Sequence, residues 1–402
     1  MDFNDTPREA QFRAEAREWL EQNAPKAGDS QPADPIERSK AWQMKKYQAG
    51  WACLTWPREY GGRGASSVEA SIFAEEEARY DVPAGAFIIG QGMAAPTMMR
   101  FASEEQKKEF LPRLASGEDI WCQLFSEPAG GSDLAALTTR AVRDGDDWVI
   151  NGQKIWTSGA HYSDYGIVVT RSDPTVPKHK GLTYFFLDMK SAGVEIKPIK
   201  QISGDSNFNE VYFNDVRIPD SQRLGKVGEG WAVSMTTLMN ERAAIGGGGD
   251  GPLSFEGAYA LASELKIDDS PAIEDRAVRE QLADWYCKES GLKYTLARTQ
   301  SALSRGDVPG PENSIGKLVS AKKSQEIASF CIDLMEMVGT AIDSDLAGYG
   351  FQQGYMGAPG SRIAGGTDEI MLNIISERVL GLPQDIRVDK EVPFNQIPTG
   401  KK

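Results

Sequence analysis

The sequence predicts an α+β protein in three parts: an N-terminal helical domain over 1–119, a middle antiparallel β domain over 120–227, and a C-terminal helical domain over 228–402. Three observations carry this. Near the start, Phe12, Ala16, Trp19 and Leu20 recur at helical spacing. From about Ile120, short alternating runs take over, separated by turns rich in Gly, Asp and Pro. From Gly228 the helical period returns. Helices and strands segregated along the chain, not interleaved, mark an α+β fold.

The first helix opens at Thr6-Pro7, a threonine cap followed by proline, whose missing N–H costs nothing in the first turn. Residues 25–36, rich in Pro, Asp, Ser and Gly, predict a loop. Ser67 to Tyr80 and Gly92 to Leu114 predict further helices, with Ser103 and Gln106 spaced as a capping box. Strands are expected around Trp148-Val-Ile, Tyr165 to Thr170, Leu182 to Leu187, Val194-Glu-Ile and Glu210 to Val216. Asn151-Gly152 predicts a tight hairpin turn between two strands. Helices are expected over Trp231–Ile245, Phe255–Leu265, Pro271–Arg305, Ser314–Val338 and Thr367–Leu380, and the four glycines at 246–249 should break or kink one.

Composition narrows the function classes. The chain has 402 residues, 40% apolar and 25% charged, which suits two or three globular domains. There is no run of eighteen apolar residues, so no membrane-spanning helix is expected. The N-terminus lacks a basic region followed by an apolar stretch, which predicts no secretory signal and a cytoplasmic protein. A net charge of −14 opposes nonspecific binding to nucleic acid or anionic membranes. Cys53, Cys122, Cys287 and Cys331 are far apart and form no C-x-x-C pair, which predicts reduced, mostly buried thiols. With only His161 and His179 available, no histidine-based metal site is expected. Chemistry must then rest on carboxylates, hydroxyls, backbone amides or an organic cofactor.

The stretch 122–158 holds the candidate site. Ser126, Gly130, Gly131 and Ser132 form a loop of small residues after a strand, where backbone N–H groups can approach an anionic or carbonyl-rich ligand. Trp156 follows, beside Thr157 and Ser158, a combination that suits a flat heteroaromatic ring with polar edges. The same residues also suit an ordinary hairpin with a core tryptophan.

Glu127-Pro-x-x-Gly-Ser-Asp133 with Asn151-Gly-x-Lys-x-Trp-x-Ser158 resembles the flavin-binding segment of the acyl-CoA dehydrogenase family. Trp56 to Gly64, Phe110 to Glu118, and Gly365-Gly-Thr-Asp-Glu-Ile370 with Ile375 to Pro383 resemble further family motifs in the expected order, so that the resemblance spans about 5–383. It implies that the C-terminal helices form a bundle. It also implies bound FAD, an acyl-CoA substrate, fatty-acid β-oxidation as the setting, and an electron-transfer flavoprotein as electron acceptor. For FAD it implies Gln123, Phe125 and Ser126 at the pyrimidine side of the ring and Gly131 and Ser132 near the pyrophosphate. Trp156 and Ser158 flank the ring and its N5 edge, and Thr367 and Glu369 lie toward the far end of the dinucleotide. Ser132 and Arg242 are implied substrate contacts.

Dehydrogenation of a thioester removes a proton from Cα and a hydride from Cβ. It needs a carboxylate base in a poorly hydrated pocket, a flavin, and donors for the thioester oxygen. Many members of the family carry the base as a Glu immediately before the C-terminal Gly-Thr; here that position is Gly365. Other branches take the base from a Glu-Arg pair on an earlier helix, which here is Glu241-Arg242 among Leu238, Met239, Ala243 and Ala244. The resemblance therefore implies Glu241 as base and leaves Gly365 a role through its backbone N–H. Glu241-Arg242 as a solvated helix pair is the competing reading. The Arg-x-x-Phe-Gly stretch that many homotetrameric members lend to a neighbour's FAD is missing near 260–270. Either Lys266 or another cation substitutes, or a different subunit supplies the contact, as in heteromeric members found in sterol degradation. Homotetramer, homodimer and heterotetramer with a related subunit are all compatible. An acyl-CoA oxidase, or a non-catalytic partner in a heteromeric dehydrogenase, are the alternatives.

Overall fold

The computed structural model describes residues 5–26, 28–83, 85–245, 251–303, 310–341 and 349–398. Side chains at 242–245, 300, 302–303 and 349 are outside that description, as are the glycines at 246–249. The chain forms two compact units. One comprises residues 1–200, 206–241 and 385–402, the other 201–205 and 242–384.

The first unit opens with five helices: α1 (Pro7–Asn23), α2 (Pro35–Gln48), α3 (Ser67–Glu77), α4 (Ala95–Phe101) and α5 (Glu104–Ser116). The predicted caps are present. Thr6 Oγ1 accepts from Glu9 N while Glu9 reaches back to Thr6 N, and Ser103 and Gln106 make the same reciprocal pair. Each closes two otherwise orphaned donors. α2, which the residue pattern does not single out, begins at Pro35 behind Asp34, whose carboxylate accepts from Ile36 N and Glu37 N. Trp19, Trp42, Trp51, Phe12 and Phe73 pack together between α1, α2 and α3.

The β region follows: β1 (Trp121–Leu124), β2 (Arg140–Asp144), β3 (Asp147–Ser158), β4 (Tyr165–Arg171), β5 (Leu182–Asp188), β6 (Val194–Ile199), β7 (Phe208–Pro219) and β8 (Arg223–Leu224). They form one sheet in the order β6-β7-β3-β2-β4-β5-β8, with β1 also beside β4. The pairing is antiparallel except where β1 and β2 meet β4. There β1 runs parallel opposite Tyr165 to Val168, and Arg140 of β2 pairs in parallel with Arg171. β1 and β2 thus share one edge of β4, and the loop from Phe125 to Thr139 leaves the sheet between them. β4 and β5 are buried almost throughout, because both of their faces are covered. Ile167, Val169, Tyr184 and Phe186 join the helix-facing layer, while Val168, Phe185 and Leu187 join the opposite one, as the two-residue period of a strand requires.

The predicted hairpin at Asn151-Gly152 is not formed. Residues 147–158 are one continuous strand, and the turn falls earlier, at Gly145 with φ of +62°. β3 and β7 carry two compensating bulges instead. Asp215 is the extra residue on β7, at φ +51°, and the second register shift lies between Lys154 and Thr157 on β3. Asn151 fills the first bulge: its Nδ2 donates to Asp215 Oδ1 at 2.9 Å, and its Oδ1 accepts from Asp215 N at 3.0 Å. Gly152 has φ of +151°, and a Cβ there would stand 2.5 Å from Thr139 Oγ1. The dipeptide that favours a turn here serves a bulge and a close approach.

Helix α6 (Gly230–Ile245) follows the sheet, and the first unit holds it through Glu241. Val233 and Leu238 join the helix-facing apolar layer. The C-terminal segment returns to this unit. Phe394 N donates to Val176 O and Asn395 N to Pro174 O, both at 2.9 Å. The Arg171 guanidinium lies 3.6 Å from the centre of the Phe394 ring.

The second unit is helical: α7 (Phe255–Glu264), α8 (Arg276–Leu303), α9 (Asn313–Leu334), α10 (Tyr349–Ser361) and α11 (Asp368–Ile374), around Leu261, Leu282, Trp285, Ile327 and Phe351. Between α7 and α8, β9 (Lys266–Ile267) and β10 (Ser270–Pro271) form a small hairpin turning on Asp268 and Asp269. This is the stretch where the arginine motif is missing. Among the described residues, no helix is long and apolar enough to cross a membrane. All four cysteines are free thiols, with Cys122 and Cys331 buried and Cys287 exposed. Burial raises the Cys122 and Cys331 thiols to about 12, so they remain protonated and unreactive.

Candidate active site

The two halves of the candidate segment are joined inside the first unit. Ile155 N donates to Ser126 O at 2.9 Å. Beneath that bond, Lys154 Nζ donates to Glu127 Oε1 at 2.9 Å and to Phe125 O at 3.0 Å. Glu127 also accepts from Thr138 N and Thr138 Oγ1 at 2.6 Å, and from Thr139 N at 2.9 Å. Burial alone would raise the Glu127 carboxyl, but the Lys154 charge and the threonine donors outweigh it and bring it down to about 2. Beyond this anchor, Glu127 and Gly130 exchange two backbone bonds of 2.9 Å. That tight turn presents Gly131 and Ser132 at the exposed rim. Sequence reasoning gives Glu127 and Lys154 no role beyond their place in the two motifs. The signal available in the sequence is a lysine in phase with the inward Trp148 and Ile150 of the same strand.

Trp156 lies in the second bulge, at φ +60°, and is 57% exposed. A left-handed conformation is unfavourable for a bulky residue, and here it places the indole outside the ladder, edge-on to Phe208 at 6.0 Å. It is therefore no core tryptophan. Ser158 pairs with Phe208 in the ladder. Phe125 is buried in the core, edge-on to Tyr184 at 5.8 Å. His161 is exposed and its Nδ1 lies 3.2 Å from Asn209 Oδ1.

Glu241 is 9% exposed, so it is not a solvated helix residue. Gln123 Nε2, from β1, donates to Glu241 Oε2 at 3.1 Å. One helical turn earlier, Thr237 Oγ1 lies 2.9 Å from both Tyr184 OH and Thr97 Oγ1, all three residues being fully buried. Burial also raises the Tyr184 phenol well above its ordinary value, so it stays neutral. The structure thus brings Gln123 onto Glu241. The side chain of Arg242 lies outside the described residues.

The other candidate residues belong to the second unit. Gly365 and Gly366 have φ of +67° and +101°. At Gly366 a Cβ would stand 2.5 Å from Met371 Cε. Lys317 Nζ donates to Gly366 O. Thr367 caps α11, accepting from Ile370 N at 3.3 Å. Arg362 Nε donates to Asp368 Oδ2 at 2.7 Å. Arg362, Thr367, Asp368 and the exposed Glu369 border a cleft of about 240 Å³.

The first unit's residues fit a flavin. Gln123 Oε1 and Thr157 Oγ1 are buried polar atoms with no protein partner, and the exposed indole of Trp156, next to Thr157 in sequence, offers a flat apolar surface. A ring with polar edges matches both features.

Comparison with known proteins shows the family. The acyl-CoA dehydrogenase N-terminal, middle and C-terminal domain families match residues 6–118, 122–216 and 228–380. The chain belongs to the acyl-CoA dehydrogenase family, whose members are flavoproteins, and is an enzyme of that family. The acyl-CoA dehydrogenase IpdE1 of Mycobacterium tuberculosis is 36% identical over 394 residues, covering 94% of this chain and 98% of the relative. A solved structure described as the Tcur3481-Tcur3483 steroid ACAD superposes with a TM-score of 0.82 at 28% identity, over 96% of this chain and 100% of that one. The ChsE4-ChsE5 complex from Mycobacterium tuberculosis gives a TM-score of 0.78 at 27% identity, over 96% and 100%.

Proposed function

We propose that the protein catalyses FAD-dependent α,β-dehydrogenation of an acyl-CoA thioester to the trans-2-enoyl-CoA, with Glu241 taking the Cα proton. The observation that carries the reading is the buried Glu241 carboxylate on α6, hydrogen-bonded at 3.1 Å to Gln123 of the flavin-like segment. FAD, when bound, supplies the hydride acceptor that no side chain provides. Trp156 and Ser158 flank its ring, Gln123, Phe125 and Ser126 border the pyrimidine side, and Gly131 and Ser132 lie near its pyrophosphate. Phe125, being buried in the core, contributes through its backbone. A carboxylate excluded from water is a stronger base than one in water, because desolvation disfavours its charge. Tyr184, held neutral nearby, adds no competing charge.

For the remaining residues the reading rests on the family resemblance. Gly365 offers a backbone N–H to the thioester oxygen, a role that needs no side chain. Thr367 and Glu369 meet the far end of the dinucleotide, and Ser132 and Arg242 contact the substrate. The domain limits 1–119, 120–227 and 228–402 belong to the same reading, as does a cytoplasmic location with an electron-transfer flavoprotein as acceptor.

Straight-chain fatty acid β-oxidation is too narrow a setting, since a similar solved structure is described as a steroid ACAD. We propose a CoA thioester whose acyl group carries a bulky ring system. The same neighbours, named as pairs of two chains, together with the missing arginine motif, favour assembly with a related subunit over self-assembly.

Anaerobic mixing with a panel of straight-chain and ring-bearing acyl-CoA thioesters tests the reading. The flavin should bleach with the parent protein, or with its complex, and Glu241→Gln should slow bleaching by about 10²–10⁴ at unchanged flavin content. Glu241→Gln bleaching as fast as the parent would remove Glu241 as base. A preparation that binds no flavin under any pairing would remove the whole reading.

A further inference from the structure

We propose that Gln123 is a positioning residue for the proton-abstracting carboxylate, fixing where Glu241 points. The inference rests on the reading of Glu241 as base and goes beyond it by identifying what orients that base.

Gln123 sits on a four-residue strand whose other members, Trp121, Cys122 and Leu124, are buried and apolar. Strand alternation puts it on the face of Trp121, which belongs to the helix-facing apolar layer. An amide in such a layer is unfavourable unless hydrogen-bonded, so packing alone would favour Leu or Met. Only half of this amide is satisfied by protein. Nε2 donates to Glu241 Oε2 at 3.1 Å, and buried Oε1 has no partner. The satisfied half goes to the base.

The contact lies on the same stripe of α6 as a second polar contact. Thr237 and Glu241 are four residues apart and lie on one helical stripe. Thr237 is held by Tyr184 and Thr97 at 2.9 Å. Gln123 holds Glu241 one turn further on. The hydroxyl node lies on the face of α6 that also packs Val233 into the apolar layer. The amide then settles the plane of the carboxylate. Glutamine does not titrate, so it orients the base without competing for the proton. In the reaction, the Glu241 carboxylate takes the Cα proton and becomes the carboxylic acid, and the C–H electron pair stays on the thioester as its enolate.

The test uses the flavin-loaded protein, with its partner subunit if one is needed, and three variants: Gln123→Met, which keeps length and removes the donor; Gln123→Asn, which keeps the amide and shortens its reach; and Glu241→Gln as reference. Two quantities are read. One is kcat against KM with an oxidisable thioester. The other is the enolate absorbance of bound acetoacetyl-CoA, whose Cα proton is acidic and whose Cβ carries no hydride to give. Per bound flavin, both Gln123 variants should lose about ten- to a hundred-fold in kcat, the range of a hydrogen bond to a charged group, with KM held and the enolate signal per bound flavin reduced. If Gln123→Met keeps the parent's kcat and enolate signal while Glu241→Gln loses both, this inference falls and the base stands. If Glu241→Gln keeps both, the base reading falls and this inference with it. Loss of fold in both Gln123 variants, or loss of flavin with kcat per bound flavin unchanged, would leave the residue a structural or flavin contact alone and would also overturn the inference.

Discussion

Lys154 and Glu127 meet inside the protein: the ammonium lies 2.9 Å from Oε1, with 0% and 4% of the two side chains exposed. One comes from β3 and the other from the loop after β1. The pair joins the two halves of the flavin-like segment, and its removal should be felt there first.

Lys154→Met leaves Glu127 buried without its counter-charge. Breaking a buried pair this way costs about 3–5 kcal/mol, which should appear as a lowered denaturant midpoint. Adding Glu127→Gln should recover part of the loss. The pH dependence follows from the depressed carboxyl. Glu127 is held at about 2 in the folded state, below its ordinary value of 4.5. Its contribution is present above the ordinary value and is lost as pH falls through that window toward 2. Acid unfolding of the parent between those limits should be steeper than that of the double variant, as read by circular dichroism against pH.

Gly152→Ala should destabilise the first unit by about 1–3 kcal/mol, the cost of a side chain in a sparsely allowed backbone conformation. The added Cβ also meets Thr139 Oγ1 at 2.5 Å. A thermal midpoint equal to the parent's would show that β3 is not pinned against Thr139 at that point.

Trp156→Gly separates strain from ligand contact. Glycine accepts φ of +60° freely, and the indole is 57% exposed, so the cofactor-free protein should keep its stability within about 1 kcal/mol. FAD binding should weaken about tenfold, in line with the loss of one aromatic contact. Titration of the stripped protein with FAD, followed by tryptophan fluorescence or calorimetry, checks both.

Phe394→Ala removes the ring on which the Arg171 guanidinium lies at 3.6 Å. The expected cost is about 1–2 kcal/mol for a desolvated cation–π contact. Lys178 remains, bridging Asp389 of the same segment at 2.6 Å and Asp133 of the Gly-Ser-Asp loop at 2.7 Å. The segment should therefore loosen before the rest of the unit, and limited proteolysis should cleave within 385–398 faster than in the parent.

Local chemistry is legible along the chain wherever one residue's neighbours decide its state. The helix caps at Thr6 and Ser103, the alternation through β4 and β5, and the switch from helix to strand near Ile120 all depend on residues within a few positions. The same holds for the motif letters that carry the family resemblance. Where a decision depends on a distant segment, the pattern misleads or is silent. Asn151-Gly152 has the composition of a hairpin turn, yet β7 and Thr139 hold it inside a continuous strand, because ladder pairing along both sides outweighs a two-residue preference. Trp156 has the composition of a core residue, yet a bulge against β7 turns it outward. Glu241 looks like half of an exposed helix pair, and only the docking of α6 on the sheet buries it against Gln123, 118 positions away in sequence. Periodicity and short motifs encode the elements and the family, since these are properties of contiguous residues. The pairing of Lys154 with Glu127 and of Gln123 with Glu241 belongs to the tertiary structure, since a buried polar group takes its meaning from the partner that satisfies it.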